Sequence, residues 1–515
     1  MDVTRISGLA SGMDIDSIVK KLMTAEKIPL DKLNQQRQLV SWKQESYRDV
    51  SSQMVTFLND KLANLSLSSS INAQKANVTG DTSSVSASAN GAANGASMNV
   101  TVSQLATATR VSSSSGVSAN DSDGGKDGSK LKMSDVTGNS NNGSVSIKLG
   151  SGTAVSIAYN ATDTINDFVQ KINTSQAGVT AIYDSSSGKM SITSNSTGNS
   201  KITLSGDSNG NAFDGFNIAS STDSDSANSV LGKNAKVNIN GLDMTQSTNQ
   251  FVINGVQLTL NAVSPSGQSS QVSVVGDTDK LVSSVQSFVD AYNSVLSLMN
   301  NKVGEERYAK FPPLTEDQKK TMTDDQIKLW ETKAKSGMLK DDGILEQTIS
   351  SMRTAMVQGV KLDNGTTISF AQLGISTGTY ETKGKLILDT DKLKAALDND
   401  PNIVTNFFGN NNSSSALNNT YTENDGILAR MKKITRTSLE SMASTAGTSK
   451  VSSDANASFL LNSLLGTQLS SLDRQITDMT SRLNDKETNY YQKFTAMETA
   501  MNKYNSQASA LSSFR

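Results

Sequence analysis

The sequence predicts an α+β multidomain protein: paired terminal helices form a coiled-coil leg and a helical body, and β-rich head domains are inserted between them. Three observations predict it. Apolar residues recur at helical spacing at both ends of the chain. Between about residues 72 and 276 the pattern changes to strand-like alternation punctuated by Gly, Asn, Asp and Ser clusters. Finally, 515 residues exceed what one core can organise, so roughly three or four domains are expected.

The first helix carries Ile15, Ile18, Val19, Leu22 and Met23 on one stripe, with Ser11 and Asp14 spaced as a capping box. Ile28 and Pro29 should break or bend it, because proline disfavours helical backbone in the residue before it. A longer second helix follows, with Val40, Tyr47, Val50, Met54, Phe57, Leu58, Leu62 and Leu65 at three- and four-residue steps. Lys43 and Gln44 interrupt that stripe, so partial exposure is expected there.

At the other end, Leu465, Leu469, Leu472, Ile476, Met479 and Leu483 alternate four- and three-residue spacings, the seam of a coiled coil. The seam stumbles at Lys486 and resumes, shifted by about one residue, through Tyr490, Phe494, Met497, Met501, Tyr504, Ala508 and Leu511. Such a slip can mark a change of partner. A single helix over residues 457–513 is roughly 80 Å long, too long for burial in one globule, and the N-terminal helices are its natural partner. A third periodic segment, Leu281, Val285, Phe288, Tyr292, Val295, Leu296 and Met299, reads as an ordinary core helix.

In the middle, Ser97 to Val102, Ser144 to Leu149 and Val155 to Tyr159 alternate as strands. One helix is expected from Thr164 to Asn173, with Ile165, Phe168, Val169 and Ile172 on one face. Val179 to Tyr183 and Lys189 to Thr193 read as a hairpin. Two further hairpins turn at Asn240-Gly241 and Asn254-Gly255, since both residue types tolerate positive φ. The resulting plan places a helical leg at residues 1–42 and 465–515 and a helical body with short strands at 43–71 and 280–464. A β-rich inner head occupies 72–115 and 232–279, and a β-rich outer head with one helix occupies 116–231.

Composition excludes much chemistry. There is no cysteine and no histidine, which removes disulfides, thiolate sites and the commonest general base and metal ligand. Lys plus Arg number 47 against 49 Asp plus Glu, so no net field recruits nucleic acid or an anionic membrane. No apolar run is long enough to span a bilayer, and no Sec-type signal is read at the N-terminus. Asp121-Ser122-Asp123-Gly124-Gly125 opens like a calcium loop but has Lys132 where the closing carboxylate belongs. The Asp207 loop fails likewise, with Ala212 and Ile218 at the turn and closing positions. Gly378 and Gly384-Lys385 miss the phosphate-loop spacing, and Leu386 replaces its hydroxyl. Asp341 and Asp342 suit a turn or helix cap better than a glycosidase pair. No cofactor, metal or enzymatic activity is expected.

Several separated motifs resemble the flagellar hook-associated protein 2 family, the filament-capping proteins. They are Gly8 to Val19 with Ala25-Glu26 and Pro29-Leu30; Asn99 to Ala106; Asn238 to Leu242 through Ser247-Thr248-Asn249 to Leu260; and Phe288 to Asn293. Leu373-Gly374-Ile375, Gly384 to Asp389, Leu393 to Leu397, Pro401, Val404 and Phe407-Phe408 are similar to a later block, and Tyr491 to Leu511 to the C-terminal helix. Residues 111–229 match in strand pattern alone, and residues 305–335, with Phe311-Pro312-Pro313-Leu314 and Trp330, look like an insertion present in some members.

The resemblance implies a structural cap at the distal end of the filament that oligomerises as a ring of about five subunits and promotes flagellin assembly. It implies flagellin, the hook-filament junction proteins and an export chaperone as partners, and secretion through the flagellar channel without a Sec signal. On this reading, contacts with other subunits and the filament fall outside the two breaks, on Leu9, Met13, Ile15, Ile18, Val19, Leu22, Tyr490, Phe494, Met497, Met501, Tyr504 and Leu511. An intrachain coiled coil is expected inside them, on Val40, Tyr47, Met54, Leu465, Leu469, Leu472, Ile476, Met479 and Leu483. The Ser-, Thr- and Asn-rich head leaves one alternative, an adhesin displayed at the tip that binds glycans or host surfaces.

Overall fold

The computed structural model describes residues 12–93, 95, 97–220, 228–409 and 420–512. The chain divides into a helical unit, Met1–Asn72 with Thr278–Arg515, and a β-rich unit, Ala73–Asp277.

In the helical unit, α1 (Ile15–Glu26) starts at Asp14, whose Oδ1 accepts the Ser17 N–H at 3.0 Å. Asp14 is therefore itself the N-cap, not the closing residue of a box, and Ser11 lies outside the described residues. Lys27 keeps helical backbone angles and joins α1 to α2 (Ile28–Thr56), so the break falls just before Pro29. Proline is tolerated in that first turn because its missing N–H has no intrahelical acceptor. Past Thr56 the helix widens into a π turn, Phe57–Lys61, before Leu62–Leu65. The wide turn re-aims the stripe so that Phe57, Leu58, Leu62 and Leu65 are all buried.

The expected weak point of α2 is in fact inside. Trp42 and Gln44 are buried, and Gln44 Nε2 donates to the Ala446 carbonyl at 2.9 Å. A polar residue at a seam position is accommodated because its amide finds a partner.

Three further long helices belong to the helical unit: α3 (Thr278–Gly304), α4 (Gly343–Val357) and α5 (Ile427–Ala446). α3 buries every residue of its predicted stripe. Phe288 meets Phe408 edge-on at 5.0 Å, and Phe407 meets Phe408 at 5.1 Å. Asp342 caps α4 by accepting from the Ile344 and Leu345 N–H groups, while Asp341 adopts φ 52 in the preceding turn. α5 turns charged residues inward. Arg430, 0% exposed, donates to the carbonyls of Asp425 (2.7 Å), Glu423 (2.8 Å) and Ala355 (2.9 Å). Beside it Lys433 pairs with the buried Asp425 at 3.0 Å.

The charged insertion folds back on α2. Trp330 Nε1 donates to the Pro312 carbonyl at 2.7 Å, its ring meets Phe311 at 4.7 Å, and Gln35 donates to the Pro313 carbonyl at 2.8 Å. The last helix, α6 (Leu464–Ser512), runs unbroken for 49 residues. It begins later than residue 457 because Ser463 caps it, accepting the Gly466 N–H at 3.1 Å.

The β-rich unit has two cores. The inner one lies between a five-stranded sheet and a three-stranded sheet. The five-stranded sheet orders β1 (Gln74–Gly80), β15 (Ser270–Gly276), β3 (Ser97–Gln104), β11 (Ala235–Ile239) and β12 (Leu242–Gln246). The other orders β13 (Gln250–Ile253), β14 (Val256–Leu260) and β2 (Val85–Ala89). Both expected Asn-Gly turns form: Asn240 and Gly241 have φ 51 and 88, Asn254 and Gly255 have φ 49 and 78. Each closes a two-residue hairpin, Ile239 opposite Leu242 and Ile253 opposite Val256.

The outer core is built on β4 (Ala108–Ser112), β5 (Gly143–Leu149), β6 (Val155–Tyr159), β7 (Val179–Asp184), β8 (Lys189–Thr197), β9 (Ile202–Gly206) and β10 (Ser229–Val230). These form one sheet in the order β10-β4-β8-β7 and another in the order β6-β5-β9. The helix Ile165–Thr174, closed by a capping box between Thr164 and Asp167, lays Phe168 into this core. Phe168 touches Tyr159 at 5.5 Å, Phe213 at 6.0 Å and Phe216 at 5.9 Å.

Two amide side chains tie the recognised motifs together. Asn249 accepts the Ala106 N–H at 2.7 Å and donates to the Ala106 carbonyl at 2.9 Å, just before the chain enters the outer sheets. Asn240 accepts the Asn99 N–H at 2.7 Å. The two calcium-like turns are closed by their own backbone. Asp121 accepts from the N–H groups of Asp123, Gly125 and Asp127, and Asp207 from those of Asn209 and Ser144.

Candidate assembly surface

The helical unit carries an exposed apolar run on α6, and its geometry follows from how α6 changes partners. Near its start α6 lies against α2 and α5, burying Leu465 and Leu472, with Leu469 and Ile476 half-buried. Arg37 of α2 pairs with Asp473 at 2.5 Å. Further along, α1 takes over. Ile15, Val19, Met23 and Leu483 form one buried cluster, with Leu30, Met479, Tyr490, Tyr491 and Phe494 packed on it.

The hand-over occurs at Lys486, where the seam stumbles. Its ammonium pairs with Glu26, the last residue of α1, at 2.5 Å, and Tyr490 donates to the same carboxylate at 3.2 Å. Tyr491 donates to Asp16 at 3.0 Å. Residue numbers fall along α1 and α2 as they rise along α6, so the pairing is antiparallel.

The hydrogen bond from Lys486 holds the Glu26 carboxyl below its ordinary range, while the same bond raises the Lys486 ammonium. A carboxylate depressed in the folded chain stabilises it above the unfolded value, and that contribution is lost as pH falls through the folded value. The hold of α1 on α6 should therefore weaken with acidification. Thermal melts of the parent and of Glu26→Gln should differ at neutral pH and converge in the acid range; a difference independent of pH would refute it.

The predicted contact residues divide accordingly. Ile15 and Val19 are buried, and Tyr490 and Phe494 pack against them, so these four hold α1 to α6 within the chain. Met13 and Ile18 are half-buried, and Leu9 lies outside the described residues. The outward-facing members are Leu22 (38% exposed), Met497 (38%), Met501 (38%), Tyr504 (68%) and Leu511 (73%). Glu498 is the last buried residue among those described, and every described residue from Thr499 to Ser512 is exposed, a rod of about 21 Å.

On the inner seam, Val40, Leu465, Leu472 and Leu483 are buried. Tyr47 and Met54 have body partners: Tyr47 donates to Asp342, and Met54 Sδ lies 3.6 Å from Ser438 Oγ. Sequence reasoning missed the inward turn of Trp42 and the ion pair at Lys486. A basic residue at a seam position was the available sign of the second.

Two family models, described as the C-terminus and the N-terminus of flagellar hook-associated protein 2, match residues 232–506 and 11–109. The first alone covers more than half of the chain. The chain belongs to the flagellar hook-associated protein 2 family.

Within that family, the protein of Halalkalibacterium halodurans is 28% identical, with 99% of each chain covered. That of Escherichia coli K12 is 24% identical over 98% of this chain and 96% of its own. A third model, the flagellin hook IN motif, matches residues 141–196, within the outer core of the β-rich unit. The fold is shared with the crystal structure of the flagellar cap protein FliD D1-D2-D3 domains from Escherichia coli, at a TM-score of 0.52 and 21% identity, covering 79% of this chain and 97% of that one. The adhesin alternative gains no support from these relatives, all of which are described as flagellar hook-associated or cap proteins.

Proposed function

We propose that this member of the hook-associated protein 2 family is the structural cap at the distal end of a bacterial flagellar filament, where it oligomerises and promotes flagellin assembly. The single observation that carries the reading beyond family membership is the end of α6. It continues past its last buried residue as an exposed helix that keeps apolar side chains on one face. A face of this kind on a soluble helix calls for a partner surface.

Met497, Met501, Tyr504 and Leu511, with Leu22, are assigned to contacts with the filament or with neighbouring subunits. Residues 1–42 with 465–515 serve as the leg, 43–71 with 280–464 as the body, and 72–115 with 232–279 and 116–231 as the inner and outer head. The partners are other copies in a ring of about five, the number the family resemblance implies, together with flagellin, the junction proteins and an export chaperone. The place of action is the extracellular filament tip, reached through the flagellar channel. Among the described residues no helix is long and apolar enough to cross a membrane.

Removing residues 499–515 leaves the α1 cluster intact and deletes Met501, Tyr504 and Leu511 from the exposed face. The truncated chain should fold and be exported, yet filaments should fail to elongate, flagellin should accumulate in the medium and swimming should stop. Normal swimming, with no flagellin lost to the medium, would overturn the proposal.

A further inference from the structure

The charged insertion leaves the helical unit and returns to it at one place. The Val303 carbonyl, at the end of α3, accepts the Asp341 N–H, just ahead of α4, at 3.2 Å. The two stems between them are tied to each other. Arg307 donates to the carbonyls of Ala334 and Ser336, at 2.7 and 2.9 Å, and Ser336 Oγ donates to the Glu306 carbonyl at 2.7 Å. A Cβ on Gly337 would come within 2.9 Å of the Arg307 Cα, so the close approach of the stems requires glycine. An excursion whose ends meet can be added to a fold or taken from it with little disturbance to the rest.

The insertion touches a weakly supported stretch of α2. Among the described residues none from Ile28 to Leu39 is buried, whereas Val40, Trp42, Gln44, Tyr47 and Val50 all are. A helix of about twelve residues is marginal in water without tertiary contacts. On the α6 side this stretch has Leu30 and the half-exposed pair of Arg37 with Asp473, and an exposed pair contributes little. On the other side stands Pro312-Pro313. Neither proline has an N–H, and such a segment makes no internal hydrogen bonds, so its carbonyls are open to side-chain donors. The first accepts from Trp330 within the insertion and the second from Gln35 of α2, at 2.7 and 2.8 Å. The Phe311 ring contacts both Trp330 and the Lys333 ammonium, each at 4.7 Å, and Pro313 and Leu314 are buried. About two helical turns beyond Gln35, hence on the same face of α2, the buried Trp42 ring has the Lys335 ammonium 5.1 Å from its centre. Asp31, one turn before Gln35, shares that face. Burial, and next the charge of Asp317 in the insertion, raises its carboxyl above the ordinary range.

We propose that the insertion is a splint: it holds the Asp31, Gln35 and Trp42 face of α2 to the body and stiffens the stretch that the cap reading makes the base of the leg. The hold on α2 does not itself depend on that reading.

Hydrogen exchange on the purified full chain reads the hold residue by residue. With residues 305–338 replaced by Gly-Ser-Gly, amide protection over residues 32–39 should fall about tenfold or more while α3, α4 and α5 keep theirs. Gln35→Leu, which leaves the insertion whole and removes one hydrogen bond from α2, should lower protection over the same residues about threefold or more. Unchanged protection there in either variant would overturn the splint, because α6 alone would then hold the stretch. An equal loss through α3, α4 and α5 would overturn it too, since the insertion would then be part of the body's core. Neither measurement involves a filament, so the cap reading stands or falls separately, on the truncation at residue 499.

Discussion

Replacing Arg430 with Met should lower the stability of the helical unit by about 2–5 kcal/mol, since the buried carbonyls of Asp425 and Ala355 each lose a donor at about 1–3 kcal/mol. One of them, Ala355, lies in the last turn of α4, where the helix itself supplies no donor. The loss would not be made good by the extra apolar surface, because the methionine stem only replaces packing that the arginine stem already provides. Arg430→Lys should fall between the two, its single ammonium being unable to fork to three acceptors. Both tryptophans, Trp42 and Trp330, belong to the helical unit. Denaturant unfolding followed by tryptophan fluorescence therefore reports this unit without interference from the β-rich unit. A loss below about 1 kcal/mol, the ordinary effect of a point substitution, would show that the carbonyls find water.

Phe168→Ala should be as costly to the outer core of the β-rich unit, about 3–5 kcal/mol, the usual range for emptying a fully buried aromatic site. Phe168 is 0% exposed, stacks on Phe216 and meets Tyr159 and Phe213, so no single neighbour can collapse into its place. The effect should stay local, because the inner sheets have a separate core. Hydrogen exchange should rise across β4 to β9 while β3, β14 and β15 keep their protection and the tryptophan signal is unchanged. Equal loss of protection in both sets of strands would mean that the two cores unfold as one.

Residues whose local chemistry decides their structure were legible in the sequence. The Asn-Gly hairpins, the helix around Phe168 and the seam of α6 all form where backbone preference or apolar period demands them. α5 was not legible. Its inward face carries Arg430, Lys433, Thr435 and Ser438, so the apolar period that marks α3 is masked by polar residues whose partners come from distant parts of the chain. Gln44 was misread for the same reason, since only the Ala446 carbonyl makes its burial tolerable. The assembly surface was legible in part. Periodicity located the apolar residues at both ends, but it does not distinguish a residue facing α1, such as Phe494, from one facing outward, such as Tyr504. That difference depends on where α1 ends and Glu26 meets Lys486.

The continuity of α6 has a consequence for direction. Since no break separates the stretch held by α1 and α2 from the exposed end, the azimuth of the apolar face is locked to the body like the bit of a key to its bow. Each residue advances a helix by about 100°, so a single inserted residue between the two stretches would swing the face a quarter turn or more, while four would nearly restore it. For this chain the phase between its two ends is as much a part of the interface as the side chains displayed there.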